Sequence, residues 1–266
     1  MKHEYKPVSF FLVTFLLAWG FGFSGAYFSF QTGLEAISRL LIIASLFSPV
    51  IALLLVTDRA KKEEIWKRLH VRKLKRNFVI LLLLLPVVLL LATTLSLAFG
   101  FSCNQFALSR ELYLMKGEGL LSLFLLFLAP VVEEIGWRGY GVDSIRSRCN
   151  LLNTSLLFSF LWAMWHLPLF FMNGYYHHAI WDMSFVYVIN FFVSCVAVTF
   201  LMNWIFYTNY RNIPAAIVLH FILNLSFVSF QTEQFTKCIA TALFAVVAGI
   251  VITKNKELFF KNALTE

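Results

Sequence analysis

Long apolar segments alternate with short polar connections along almost the whole chain. Most of them run for about 20 residues, the length that a helix needs to cross a bilayer core. Barrel strands would be about 10 residues long and would alternate in polarity, which these segments do not. The pattern predicts an all-α, polytopic transmembrane helix bundle of about eight spans, at residues 8–28, 38–57, 78–100, 119–137, 154–172, 183–206, 213–231 and 237–253.

The composition supports a membrane protein and excludes an ordinary soluble domain. Hydrophobic residues make up 60% of the 266 residues and charged residues only 14%, whereas soluble domains carry about 25% charged residues. The sequence shows no internal repeat, low-complexity segment or Pro/Ser-rich linker. We therefore expect residues 1–266 to form a single integral membrane domain.

The distribution of Lys and Arg predicts the orientation of the spans. If the N-terminus lies in the cytoplasm, eighteen of the 22 basic residues fall on the inner side. The outer side then receives only Arg39, Arg110, Lys116 and Lys237. This asymmetry follows the positive-inside rule. It predicts a multi-pass protein of the cell membrane with both termini in the cytoplasm.

The net charge of +8 does not indicate nucleic acid as a partner, because the basic residues mostly flank apolar segments. Their expected partner is the lipid bilayer. Residues 58–77 carry nine of them, mixed with Asp58, Glu63 and Glu64. This mixture favours a solvated, topology-setting segment over a phospholipid-binding or regulatory arm.

Two adjacent carboxylates occur near the end of the apolar segment 119–137, in "EEIGWRG". Glu134 and Arg138 are four residues apart, so they share a helix face and can form an ion pair. That leaves Glu133 without a partner. A low-dielectric environment favours the neutral form of an unpaired carboxyl group and so raises its pKa. A general base that works near neutral pH needs such a raised pKa. Gly136 leaves room for the close approach of another helix.

Three further candidate site residues lie inside predicted spans: His166, His220 and Asn224. His220 and Asn224 are also four residues apart and share a face, and hydrogen bonds between helices would explain such a pair by themselves. At about 1.5 Å per residue, however, these groups and Glu133 all lie between the inner edge of the membrane and roughly its midplane. Because these polar side chains, on three helices, lie at a similar depth in the membrane, we expect them to form one site.

The residue types in this set suit amide hydrolysis by water. A carboxylate and an imidazole can hold and deprotonate a water molecule, while a second imidazole and a carboxamide can donate hydrogen bonds to an oxyanion. Neither a GxSxG nucleophile motif nor an HExxH zinc motif occurs in the sequence. None of the four cysteines lies beside these groups.

Three short motifs resemble a known family. "EEIGWR", "WAMWH" and "HFILN" are similar to the E-E-x-x-x-R, aromatic-x-x-x-His and H-x-x-x-N motifs of the CAAX-protease and bacteriocin-processing family, also called CPBP or Abi. The resemblance covers residues 119–230, which would form the catalytic core of an eight-helix protein whose site opens to the cytoplasm. Trp162 stands where the family commonly carries Phe, a change expected to affect packing or substrate fit more than chemistry.

The resemblance implies a role for each motif residue. Glu133 and His166 would activate water, His220 and Asn224 would stabilise the oxyanion, and Glu134 and Arg138 would orient the site. Family members are often labelled metalloproteases, and Glu133, His166 and His220 would be the zinc ligands of such an enzyme. A His pair with i,i+4 spacing is missing and Asn224 is a poor zinc ligand, so a metal-free mechanism is favoured and no cofactor is assigned.

These observations predict an intramembrane endopeptidase. Its substrate would be a peptide or a prenylated peptide, cut in CAAX-type processing or in leader or bacteriocin processing. A proton-coupled transporter is the first alternative, although the chain lacks the related halves that many transporters show. A non-catalytic immunity or scaffold protein of the same fold is the second.

Two adjacent histidines, His177 and His178, lie close to Asp182. A surface metal site is one interpretation, but an interfacial aromatic belt with polar tips is favoured. The predicted topology puts these residues on the outer side, far from the proposed chemistry.

Overall fold

The computed structural model describes residues 5–70, 73–109 and 119–261, and within these ranges the backbone is helical apart from turns and one isolated antiparallel bridge, Leu108 to Phe230. Short 3₁₀ turns occur at Cys103–Phe106 and Leu167–Phe171, and a π turn at Trp137–Gly141. The α-helices are α1 (Pro7–Phe28), α2 (Glu35–Leu46), α3 (Ser48–Val56), α4 (Arg59–Arg68), α5 (Arg76–Leu97), α6 (Gly119–Gly136), α7 (Val142–Arg146), α8 (Leu151–Trp165), α9 (Tyr176–Met183), α10 (Phe185–Thr208), α11 (Ile213–Ser229), α12 (Gln234–Lys254) and α13 (Lys256–Phe260).

The predicted transmembrane bundle is confirmed as a fold class. In the described part of the chain, five helical segments are long and apolar enough to cross a membrane, and a sixth is formed if α2 and α3, bent by 42° relative to each other, count as one span. α11 is apolar but has 17 residues. The count of eight spans and the cytoplasmic termini stay predictions. Arg110 and Lys116, which the topology assigns to the outer side, lie outside the described residues.

Local sequence signals determine where several helices begin. Asp58, Asn150 and Asn212 each accept a hydrogen bond from a backbone N–H in the first turn of α4, α8 and α11. Such caps satisfy amide groups that the helix itself leaves unpaired. Pro214 lies in the first turn of α11, where its missing N–H costs nothing. Two of the three helices that carry the polar motifs therefore have well-defined starts.

The helices that carry the polar motifs lie inside the bundle. α6 packs against α3 and α11, α11 also contacts α5 and α10, and α10 contacts α8 and α12. Pro130 lies within α6 without ending it, and the helix continues to Gly136. The π turn then begins, and all five of its residues are buried.

Gly136 lies at the closest approach of α6 to α3, as the sequence predicted. A Cβ atom at this position would lie 2.5 Å from Pro49 Cβ and 2.7 Å from the Pro49 carbonyl carbon. Backbone and a proline ring cannot rotate away as a flexible side chain can. The absence of a side chain therefore sets the distance between the two helices.

The segment 58–77 is not simply a solvated helix, which corrects the expectation from its charge pattern. Lys61, Ile65 and Arg68 on α4 are buried. Arg68 Nη2 donates a hydrogen bond to the carbonyl oxygen of Gly139 in the π turn. α4 is therefore attached to the end of the helix that carries the two glutamates.

Asp143 joins this attachment to the connection between α10 and α11. Its buried carboxylate accepts hydrogen bonds from Arg68 Nη1 at 2.6 Å, from Tyr207 at 2.8 Å and from Arg211. Burial alone would raise the pKa of Asp143, but Arg211 and Arg68 hold it below its ordinary value. The stability it contributes is present above the usual Asp range and is lost as the pH falls through the lowered folded-state pKa.

We predict that Gly136→Ala destabilises the protein, because the new methyl group would force α6 and α3 apart. Overpacking of this kind costs about 1–3 kcal/mol, which thermal unfolding of the solubilised protein would detect as a lower Tm. Gly249→Ala on α12 is the matched control, since nothing lies within 4 Å of its Cβ position. Equal Tm values for the two variants would contradict the packing argument.

Candidate active site

The two adjacent glutamates have different partners, as expected for helix neighbours that point in different directions. Glu134 is fully buried and Glu133 is 5% exposed. Arg138 Nη1 lies 2.9 Å from the Glu134 carboxylate, and both side chains are completely buried. The predicted Glu134–Arg138 pair is thus confirmed, and it does not involve Glu133.

Glu134 also holds His220 of α11. His220 Nδ1 lies 2.8 Å from Glu134 Oε1. Because the carboxylate paired with Arg138 accepts hydrogen bonds, Nδ1 carries the proton and Nε2 is the nitrogen left for chemistry. The carboxylate therefore fixes both the position and the orientation of the His220 ring.

Glu133 contacts the indole of Trp162 on α8. Trp162 Nε1 donates a hydrogen bond to Glu133 Oε2 at 2.9 Å. The sequence predicted that this Trp would alter packing more than chemistry, yet it reaches the carboxylate directly. The aromatic spacing of the motif could not show this contact, because the direction of a side chain depends on how the helices pack.

His166 lies immediately after the last residue of α8. Its Nδ1 is 2.8 Å from the carbonyl oxygen of Trp162. A carbonyl only accepts, so Nδ1 carries hydrogen and Nε2 keeps its lone pair when the ring is neutral. Pro168 follows in the 3₁₀ turn, and, as expected from its position, the α-helix does not continue past the imidazole.

Three of these groups, Glu133, His166 and His220, converge around Trp162. The ring of Trp162 lies 5.7 Å from that of His166 and 5.4 Å from that of His220, measured between ring centres. One carboxylate and two imidazoles from three helices thus occupy one neighbourhood in the bundle.

Asn224 is the motif residue that no contact joins to the others. It lies one turn after His220 on α11 and is partly buried. Within the described part of the chain its carboxamide makes no hydrogen bond. No described group accepts its two donor hydrogens.

His177 lies beside the candidate site, which corrects the expectation that it is remote. The chain reverses between the 3₁₀ turn Leu167–Phe171 and α9, which packs back against that turn, and the His177 ring stacks on the His166 ring at 5.6 Å. His178 instead pairs with Asp182 at 3.2 Å, on a more exposed part of α9. The hydrophobic pattern could not predict this reversal, because it does not record the path of the connection.

The possibility of zinc can be tested against the geometry. Among the described residues, no group of three or more His, Cys, Asp and Glu side chains is arranged to hold a metal ion. Glu133, His166 and His220 lie in one neighbourhood but do not form such a ligand set. The chemistry is therefore derived below without a metal step.

Comparisons with known proteins identify the family. A family model described as Type II CAAX prenyl endopeptidase Rce1-like matches residues 116–226. The CAAX prenyl protease 2 of Methanococcus maripaludis (strain S2) is 36% identical over 267 residues, covering 98% of this chain and 98% of that protein. The chain belongs to the Rce1-like family of CAAX prenyl endopeptidases.

The matched segment of this Rce1-like protease contains all six motif residues that the sequence singled out. Family membership confirms the resemblance inferred from the motifs and assigns the chain to the membrane proteases. The individual catalytic roles, the preference for a metal-free mechanism over a zinc site, and leader or bacteriocin processing stay predictions, as does the particular membrane.

We predict that Arg138→Met destabilises this Rce1-like protease strongly, because it leaves the Glu134 carboxylate buried without its cation. Breaking a buried pair in this way costs about 3–5 kcal/mol, measurable by thermal unfolding in detergent. The double variant Arg138→Met/Glu134→Gln should recover much of the loss, since no uncompensated charge remains. Equal destabilisation of the single and double variants would show that packing, rather than charge, is responsible.

Proposed function

We propose that this protein hydrolyses a peptide bond in a prenylated C-terminal peptide, with water as the nucleophile. The observation that carries the proposal is the meeting of Glu133, His166 and His220, from three helices, around one indole. The substrate class is inferred from the relative named CAAX prenyl protease 2 and from the family match. The apolar surroundings suit a substrate that carries a lipid.

Water activation is assigned to Glu133 and His166. Glu133 Oε2 accepts the hydrogen bond from Trp162, which leaves Oε1 to take the proton of the attacking water. Nε2 of a neutral His166 can accept the second hydrogen bond of that water and orient it. Glu133 would then return the proton to the leaving amine as the tetrahedral intermediate collapses.

Oxyanion stabilisation is assigned to His220 and Asn224. Glu134 accepts from His220 Nδ1, which leaves Nε2 facing away from the carboxylate, and in the imidazolium form Nε2–H would be the donor to the oxyanion. Arg138 holds Glu134 in place from the other side. The free carboxamide of Asn224 supplies a second donor, and donors preorganised in a low-dielectric site stabilise developing charge more than they would in water.

We predict that Glu133→Gln abolishes cleavage while the protein still folds. Gln accepts the hydrogen bond from Trp162 but cannot take a proton, and the loss of general base catalysis alone costs about 10²–10⁴ in rate. The assay would use the detergent-solubilised protein and a farnesylated peptide with a CAAX-type C-terminus, with product identified by mass spectrometry.

Glu257→Gln, at an exposed carboxylate in the ion pair with Lys261, is the control and should leave the rate unchanged. Full activity of Glu133→Gln would overturn the assignment. Cleavage of leader peptides instead of prenylated ones would redirect the substrate class. Proton flux in liposomes without any proteolysis would favour a transporter.

We predict that Asn224→Ala lowers kcat by about 10²–10³ with little change in KM, because an oxyanion donor acts mainly in the transition state. Steady-state kinetics on the same peptide would separate the two parameters. Asn153→Ala, at an exposed position of α8, is the control. Near-normal turnover of Asn224→Ala would indicate that this residue only packs between helices.

A further inference from the structure

Three basic side chains line a cavity at the start of α5. Its described walls are Lys73, Leu74, Lys75, Arg76 and Tyr210, and its volume is about 560 Å³. Small-molecule sites occupy roughly 300–1,000 Å³, so the cavity has the size of a binding site. The three cations are exposed, and no carboxylate belongs to the described walls. The cavity therefore concentrates positive charge in a recess that can hold an anionic group.

The basic segment 58–77 has two parts, which differ in the partners of their cations. Arg59, Lys61 and Arg68 of α4 each form an ion pair with a carboxylate. In the part of the chain that the structure describes, the three cations of the cavity form no such pair. Like charges held close together repel one another, and an anion placed between them would remove that cost. The charge pattern favoured a solvated segment, whereas the residues that follow α4 have the chemistry of an anion site.

The cavity is formed where the connection before α5 meets the connection between α10 and α11. The backbone N–H of Lys75 donates to Asn209 Oδ1 at 2.7 Å, and Asn209 Nδ2 donates to Asn77 Oδ1 at 3.2 Å. Tyr210 follows in the left-handed conformation, with a φ of 61°. Lys75 Nζ lies 5.1 Å from the centre of the Tyr210 ring. These contacts hold the aromatic wall beside the cations before a ligand binds.

An exposed apolar surface leads away from the cavity along α5. Arg76, Ile80, Leu83 and Val87 are spaced by four, three and four residues, so they share one helix face. Ile80, Leu83 and Val87 are 52%, 63% and 52% exposed. At about 1.5 Å per residue, this face extends about 16 Å from Arg76. A free phosphate ion would leave it uncovered, whereas the acyl chain of a lipid would lie along it.

We propose that this cavity binds the phosphate of an anionic glycerophospholipid, with one acyl chain of the lipid on the exposed face of α5. Arg76 offers a fork of donors for phosphate oxygens, and Lys73 and Lys75 act as point charges. A zwitterionic choline headgroup fits less well, because it would bring a further positive charge among three cations. The proposal does not depend on peptide hydrolysis, so binding can be measured whether or not the proposed function holds.

The test measures binding of dioleoylphosphatidylglycerol and dioleoylphosphatidylcholine to the full-length, detergent-solubilised protein by native mass spectrometry. We expect the wild type to bind phosphatidylglycerol more tightly. Each neutralised cation of the cavity should lower that affinity roughly fivefold, the increment for one Lys or Arg near an anionic lipid surface. The triple variant Lys73→Gln/Lys75→Gln/Arg76→Gln should therefore lose the preference for phosphatidylglycerol.

A charge-matched variant separates this site from general attraction to a basic protein. Lys67→Gln/Lys254→Gln/Lys256→Gln neutralises three exposed cations that do not line the cavity. It should keep the preference for phosphatidylglycerol. Equal losses of affinity in the two triple variants would overturn the proposal, as would an unchanged affinity in the variant of the cavity.

Tyr210→Asn tests the same site without changing a charge that sets the topology. Asn tolerates the left-handed conformation, so the turn should be kept while Lys75 loses its aromatic contact. We expect phosphatidylglycerol to bind roughly two- to fivefold more weakly, the contribution of a cation–π contact at an exposed position. Unchanged binding in this variant would overturn the proposal even if the triple variant inserted poorly.

Inorganic phosphate separates a lipid from a free anion as the occupant. Because it has no acyl chain to lie along α5, inorganic phosphate in the millimolar range should leave binding of phosphatidylglycerol nearly unchanged. Displacement of the lipid at that concentration would show that the cavity selects a soluble anion, and the assignment to a phospholipid would be wrong.

Discussion

The rest of the candidate site depends on the contacts that Arg138 and His220 make with the buried, negatively charged carboxylate of Glu134. Glu134 and Arg138 are both completely shielded from solvent, and an isolated ion in such a place costs several kcal/mol. Arg138 and His220 both lie within 3 Å of the carboxylate. The same contacts that make its burial tolerable also join α6, the π turn and α11.

The π turn connects the Glu134–Arg138 pair to other helices of the bundle. A π turn is often found at functional sites, where it changes the direction of side chains within a helix. Here it carries Arg138 at its second residue, while its third, Gly139, accepts a hydrogen bond from Arg68 of α4. Asp143 on α7 then binds Arg68 and Arg211. Paired charged side chains therefore extend from the site to α4, to α7 and to the connection between α10 and α11.

Aromatic side chains pack around the polar groups of the candidate site. Trp162 contacts the Glu133 carboxylate and both histidine rings. An apolar shell of this kind lowers the local dielectric constant, which strengthens every hydrogen bond inside it. The segment that matches the Rce1-like family model contains these polar residues, and their convergence around Trp162 is the basis of the proposed protease site.

The sequence by itself determined the class of fold and the family to which the chain belongs. Hydrophobic segment length predicted the membrane helices, and spacing of four residues predicted the Glu134–Arg138 pair, because both follow from helix geometry within one segment. The tertiary structure decided which atoms meet: Trp162 with Glu133, His177 with His166, and Arg68 with the π turn. These contacts join residues distant in sequence or lying across a chain reversal. They depend on how the helices cross, where side chains point and which path the connections take. None of these features produces a periodic pattern of hydrophobic residues in the sequence.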